Sequence, residues 1–180
     1  GGKPLVRIAV EQVLASQASP VIVVTGHQRE RVEAALAGLD VRIVNNPNYA
    51  EGLGTSLKAG IAAVPEEADG VVVCLGDMPD VSADLINRLI AAYDPEKGAL
   101  VVAPIRDGKR GNPVLWSRRF FPDLMAVTGD VGARHVLTSY SEAVAEVPVQ
   151  EGGAFVDVDN PEALREARAA RESRRAVTPA

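Results

Sequence analysis

Apolar positions along this chain follow two alternating rhythms. Between Pro4 and Ala18, Leu5, Ile8, Ala9 and Val13 recur at helical spacing behind a proline that suits a helix start. Val21 to Thr25 follows as a β-branched run ended by Gly26. The alternation repeats: Glu30 to Ala37 predicts a helix closed near Gly38, Val41 to Val44 a short strand, and Thr55 to Val64 a third helix. Next comes Val71-Val72-Val73-Cys74-Leu75-Gly76-Asp77-Met78-Pro79, an apolar run stopped by a glycine, a carboxylate and a proline, which predicts a strand buried on both faces. Ser82 is placed to cap a helix running to Tyr93, with Leu85, Ile86, Leu89 and Ile90 on its buried side, and Ala99 to Pro104 predicts another strand. Such alternation implies parallel strands joined by helical crossovers, a three-layer α/β domain. The second half departs from it. Arg106 to Asn112 is a turn-rich insert between strands, followed by two helices and two short strands, Ala143 to Val147 and Ala154 to Val158, so a mixed, mostly parallel sheet is expected. With no internal repeat or linker, one domain over residues 1–170 is expected, and 171–180 reads as a flexible tail.

Composition supports a single packed core: 180 residues, 47% of them hydrophobic and few aromatic, suit a core of Val, Leu, Ile and Ala. A net charge of −5 argues against a general nucleic-acid binder, which needs a broad basic surface, so a phosphate ligand would be met by local positive charge. The single cysteine, Cys74, lies within the apolar run and reads as a small hydrophobe in a reducing, cytoplasmic setting. No apolar run approaches 18 residues and no signal peptide is visible, so neither a membrane span nor export is expected.

Asp77 is the first polar group after its strand. Ligand crevices of open α/β sheets lie just outside the carboxyl ends of strands, so Asp77 is placed either to hold a metal or substrate group or to cap its turn. The loop Asn45 to Leu57 is long for a compact domain and ends in Gly52, Gly54, Thr55 and Ser56 at a helix start. There, amides bind anions or base edges, and a hydroxyl caps the helix. It matches neither a dinucleotide fingerprint nor a phosphate loop of the Gly-x4-Gly-Lys type. Asp157 and Asp159 alternate along an expected strand and face one way; Asp77 with one of these two acids makes an oxygen-rich set suited to Mg²⁺, while Asn160-Pro161 starts the last helix. Arg106, Lys109, Arg110, Arg118 and Arg119, with Arg134 further on, concentrate positive charge suited to an anionic substrate or to a solvated surface. His27 and His135 have no partner at metal-ligand spacing and read as structural or surface residues.

Five segments in order carry a family resemblance: Glu51-Gly52-Leu53-Gly54-Thr55-Ser56-Leu57, Leu75-Gly76-Asp77-Met78-Pro79-Asp80-Val81, Arg110-Gly111-Asn112-Pro113-Val114, Gly129-Asp130-Val131-Gly132-Ala133-Arg134 and Asp157-Val158-Asp159-Asn160-Pro161-Glu162. Together they resemble the molybdenum cofactor nucleotidyltransferases, most closely their cytidylyltransferase branch. The resemblance implies a Rossmann-like nucleotidyltransferase fold and transfer of CMP from CTP to the phosphate of molybdopterin with release of pyrophosphate. By it, Asp77 binds Mg²⁺ with Asp157 and Asp159 as further metal-site acids. Gly52, Gly54, Thr55, Ser56 and Leu57 select and hold the nucleotide, and Arg110, Asn112 and Arg134 face the pterin phosphate. Asn112 stands where a histidine is common in the family. A molybdoenzyme or its chaperone is the implied protein partner. The rival readings are a guanylyltransferase, a sugar-phosphate nucleotidyltransferase, or a non-catalytic binding module of the same fold. Family members open with a strand and a glycine-rich phosphate loop, and Gly1 to Leu5 resembles the segment just after that loop. That first strand is therefore expected to lie outside these residues, and this chain alone is expected to show little cytidylyl transfer.

Overall fold

A computed structural model describes residues 2–129 and 133–150. Among them, strands and helices alternate as the apolar rhythm predicts: α1 Leu5–Leu14, β1 Ile22–Thr25, α2 Arg29–Ala35, β2 Arg42–Asn45, α3 Leu53–Ala62, β3 Gly70–Val73, α4 Ala83–Ala92 and β4 Val101–Arg106. Then follow β5 Lys109–Arg110, β6 Val114–Ser117, α5 Phe121–Ala126, α6 Arg134–Ser139 and β7 Val144–Pro148. The first helix stops a turn short of Ala18 because Ser16 competes for its end. The Ser16 hydroxyl donates to the Val13 carbonyl (2.6 Å) and accepts from the Ala18 amide (3.2 Å). Helix α4 begins where expected, with Ser82 Oγ accepting from the Leu85 amide at 3.2 Å.

Among the described residues the strands form a two-stranded parallel sheet, β1–β2, and a five-stranded mixed one, in keeping with the Rossmann-like α/β class. β1 pairs with β2 in parallel, and β4 pairs with β7 in parallel. β6 runs antiparallel between β3 and β4, and β5 extends the same edge of β4 through a hairpin turned at Asp107-Gly108. With β7 along its other edge, β4 is the central strand, and Val101, Val102 and Ala103 are fully buried. Alternation along β4 and β6 divides the core in two. Val101, Ala103, Val114 and Trp116 pack under Ile61 of α3, Phe121 and Leu124 of α5 and Val136 of α6. Val102 and Leu115 face the opposite way, onto Leu85 and Leu89 of α4 and Val147 of β7. Three layers result, helices on both faces of the sheet.

Both faces of β3 pack on the core as expected, Val71 and Val73 on one side and Val72 on the other, but all three are half-buried rather than sealed, because among the described residues β3 pairs only with β6. Among the described residues, no helix is long and apolar enough to cross a membrane.

Candidate functional site

The loop after β2 is built around one buried carboxamide. The Asn46 amide donates to the Thr25 carbonyl at 2.7 Å, carrying the β1–β2 pairing one residue further, and the side chain is only 3% exposed. Its Oδ1 accepts from the Asn48 amide (3.0 Å), and its Nδ2 donates to Thr55 Oγ1 (2.8 Å) and Ser56 Oγ (3.0 Å). Both ends of the loop are thereby tied to one side chain. Tyr49–Glu51 form a short 3-10 turn, and Gly52, at φ 113°, turns the chain into α3. The helix thus starts at Leu53, not at Thr55. Gly52 is its N-cap residue, and Thr55 lies inside the first turn, where its hydroxyl donates back to the Gly52 and Asn48 carbonyls at 2.9 and 3.0 Å. The loop rests on β1 at Gly26, where an added Cβ would lie 2.5 Å from Tyr49 Cβ. Gly54 rests against residues 127–129: an added Cβ there would lie 3.1 Å from the Gly129 carbonyl oxygen. Two motifs far apart in sequence, Gly52 to Leu57 and the segment opening at Gly129, therefore meet.

Asp77 is exposed in a turn four residues beyond the end of β3. The turn is held from beneath: Met78 is 1% exposed and packs with Val81, Ile86 and Val13 of α1, and the Met78 amide donates to the Leu75 carbonyl at 3.3 Å. An apolar anchor directly after the acid fixes the backbone while leaving the carboxylate at the surface. Cys74 is half-buried by its own surface yet closely ringed by protein. Burial pushes its thiol from an ordinary 9.0 up to about 12, so it stays protonated at neutral pH, as expected of a small hydrophobe.

The antiparallel register brings Asn112 toward the same end of the sheet. Val73 pairs with Val114, so Asn112, two residues before β6, lies across from the residues that lead out of β3 toward Asp77. Arg110, on β5, donates to Glu146 Oε1 of β7 at 2.7 Å. Arg134 is the exposed first residue of α6, five residues after Gly129. The basic residues do not form one patch. Arg106, Lys109 and Arg110 stand at the β4–β5 hairpin, whereas Arg118 and Arg119 follow the far end of β6, beside Gly70 at the start of β3. Arg118 is a structural cation. It donates to the Ala68 carbonyl at 2.6 Å and to the Pro65 carbonyl, and its guanidinium lies 4.8 Å from the centre of the Phe121 ring.

Asp157 and Asp159 lie outside the described residues. Among the described residues no three His, Cys, Asp or Glu side chains gather into a metal-binding group, so Asp77 is the described acid of the expected set. His27 and His135 are exposed, His27 tilted against Tyr49 with ring centres 5.9 Å apart, in keeping with their reading as surface residues. Sequence reasoning took in Asn46 only as part of its loop. A polar residue directly after a β-branched strand was the available signal.

The sequence profile described as "MobA-like NTP transferase domain" matches residues 1–144. A protein named nicotine blue oxidoreductase, from Paenarthrobacter nicotinovorans, is 29% identical over 169 residues, covering 91% of this chain and 82% of its own. The molybdenum cofactor cytidylyltransferase of Escherichia coli K12 is 28% identical over 150 residues, covering 80% of this chain and 71% of its own. Among solved structures, the manganese complex of Rv0371c from Mycobacterium tuberculosis H37Rv superposes with a TM-score of 0.74 at 25% identity, over 90% of this chain and 84% of that one.

Proposed function

The chain belongs to the MobA-like NTP transferase domain family, and from that premise we propose that it is a divalent-metal-dependent cytidylyltransferase acting on the phosphate of molybdopterin. One observation carries this reading beyond the family: the loop from Asn46 to Gly52, which leads into the first turn of α3, and the turn bearing Asp77 each follow the carboxyl end of a strand, where α/β sheets of this kind place their ligands. The likeness to a molybdenum cofactor cytidylyltransferase favours CTP and molybdopterin as the substrate pair. A relative crystallised with manganese favours a divalent ion.

The donor set around Asp77 fits such an ion. An exposed carboxylate on a turn anchored by Met78 is a hard oxygen donor of the kind that Mg²⁺ or Mn²⁺ takes one or two of, the rest of its coordination coming from triphosphate oxygens and water. We assign Asp77 to hold it, with Asp157 and Asp159 as the further acids. When bound, the ion neutralises triphosphate charge and stabilises the departing pyrophosphate. The chain's own groups do the positioning. A phosphate oxygen of the acceptor attacks the α-phosphorus of CTP; the new P–O bond forms as the bond to the β-phosphate oxygen breaks, and pyrophosphate leaves with that electron pair. In-line alignment of two anionic groups is the main requirement, and no protein nucleophile is needed. Gly52 to Leu57 orients the nucleotide, with Gly52 and Gly54 admitting close approach of ligand and neighbouring backbone. Asn112 and Arg134 meet the acceptor phosphate. Arg110 joins them by exchanging its bond to Glu146 for one to phosphate.

Competition binding tests the base preference. With Mg²⁺ present, CTP is expected to displace a fluorescent CTP analogue at a concentration at least tenfold below GTP. Equal or reversed preference overturns the cytidylyl assignment in favour of a guanylyl or sugar-nucleotide site. Failure of any nucleotide to bind marks a domain that keeps the fold without the activity.

A further inference from the structure

We infer that Asn46 is a positioning residue of the nucleotide loop: its buried carboxamide fixes Thr55 inward and leaves Ser56 as the loop's outward hydrogen-bond donor. The inference rests on the nucleotide site proposed above and names what sets its selectivity.

Donor and acceptor accounting decides the roles. The Asn48 amide can only donate, so the carboxamide oxygen of Asn46 must face it at 3.0 Å, and both Nδ2 hydrogens then point at the two hydroxyls. Each hydroxyl oxygen therefore accepts from Asn46 and must send its own proton elsewhere. Thr55 has an internal destination, the Gly52 carbonyl at 2.9 Å or that of Asn48 at 3.0 Å. A helical serine ordinarily donates to the carbonyl four residues back, which for Ser56 is also Gly52. With the Thr55 hydroxyl on the nearer of its two acceptors, that oxygen accepts from both the Thr55 amide (3.1 Å) and the Thr55 hydroxyl (2.9 Å), so its two lone pairs are taken. Ser56, half-buried in the first turn of α3, is left with a donor aimed away from Asn46 and refused its local acceptor. A donor whose direction is fixed by a buried neighbour is a means of choosing between bases, since it rewards an acceptor atom at one place and rejects a donor there. Replacing Asn46 by a side chain with neither donor nor acceptor frees both hydroxyls and both ends of the loop.

The test uses the full chain and two readouts, amide hydrogen exchange without ligand and the affinities of CTP and GTP with Mg²⁺. Asn46→Leu keeps the approximate size and removes donors and acceptor alike. It is expected to speed exchange of the amides of residues 48–56 at least tenfold while those of β4 and β6 hold, and to bring the CTP-to-GTP affinity ratio toward one. Ser56→Ala is expected to lower the ratio about five- to tenfold, the range of one neutral hydrogen bond, without speeding exchange. Combined, the two changes should lower the ratio no further than Ser56→Ala alone, because Asn46 acts through Ser56. Unchanged exchange in Asn46→Leu, or additive effects on the ratio, overturns the assignment of Asn46. Should Asn46→Leu not fold, Ser56→Ala decides: an unchanged ratio overturns the outward donor. A wild-type chain that binds neither nucleotide overturns the nucleotide reading and the role of Ser56 with it, a result distinct from normal binding with additive variants.

Discussion

Arg118→Ala separates a structural cation from a substrate-binding one. The guanidinium spans from the end of β6 to the loop that enters β3, donating to the carbonyls of Ala68 and Pro65 and lying over the Phe121 ring. Its own amide donates to the Asp69 carbonyl at 2.8 Å, so backbone and side chain clasp the same loop. Two charge-assisted hydrogen bonds at a half-buried site contribute on the order of 1 to 1.5 kcal/mol each, and the ring contact adds roughly 0.5 kcal/mol. The alanine variant therefore loses about 3 kcal/mol. For a domain of this size, that is a fall of roughly 6 to 12 °C in melting temperature. Arg118→Lys keeps the charge but not the fork, reaches one carbonyl at a time and should lose about half as much. Differential scanning fluorimetry gives the melting points, and titration with CTP and Mg²⁺ well below them gives the affinity, expected within twofold of wild type. An unchanged melting point with tenfold weaker CTP binding would refute the reasoning and return Arg118 to the substrate-binding group.

Three further expectations follow from the packing. Cys74, with its thiol held up to about 12 against an ordinary 9.0, contributes stability that is fully present below pH 9 and lost as pH rises from 9 through 12; Cys74→Ala should flatten that part of the stability curve in urea melts. The same burial makes its alkylation by iodoacetamide at pH 8 limited by unfolding, so the rate should rise with urea; rapid alkylation in native buffer contradicts it. Gly26→Ala places a Cβ 2.5 Å from Tyr49 Cβ, a contact the loop can relieve only by moving, at a cost of about 1 to 3 kcal/mol; crystallography of the variant should find Tyr49 displaced. Ser82→Ala removes the cap of α4 and should cost about 1 kcal/mol in the same urea melts.

How far these features were legible depends on whether they are local. The α1-to-β4 alternation, the Ser82 cap and the buried stripe of α4 are written in neighbouring residues, and the sequence reading found them. So was the turn at Asp77, because apolar residues bracket it. Strand β6 is different: Val114 to Ser117 is a short apolar run that says nothing of its antiparallel insertion between β4 and β3, whose residues lie over 40 positions away. That insertion puts β3 at the rim of its sheet and leaves Val71 to Val73 half-buried rather than sealed. The basic residues misled for a related reason. Arg110 and Arg118 are close in sequence, but β6 lies between them and carries them to opposite ends of the sheet, about 13 Å apart along the strand at 3.3 Å per residue. At α3, a hydroxyl pair at a predicted helix start suggested a cap, whereas the positive φ of Gly52 starts the helix earlier and turns Thr55 into a strut.

The central claim is that Asp77 holds the divalent ion that accompanies a nucleoside triphosphate. Isothermal titration of CTP into wild type and Asp77→Ala, each with Mg²⁺ and with EDTA, tests it directly. The side chain is exposed on a turn anchored by Met78, and a melting curve recorded for each protein shows that both are folded under the titration conditions. Wild type is expected to bind CTP at least tenfold more tightly with Mg²⁺ than without, and Asp77→Ala to bind equally in both conditions. A variant that keeps the full Mg²⁺ dependence contradicts the account.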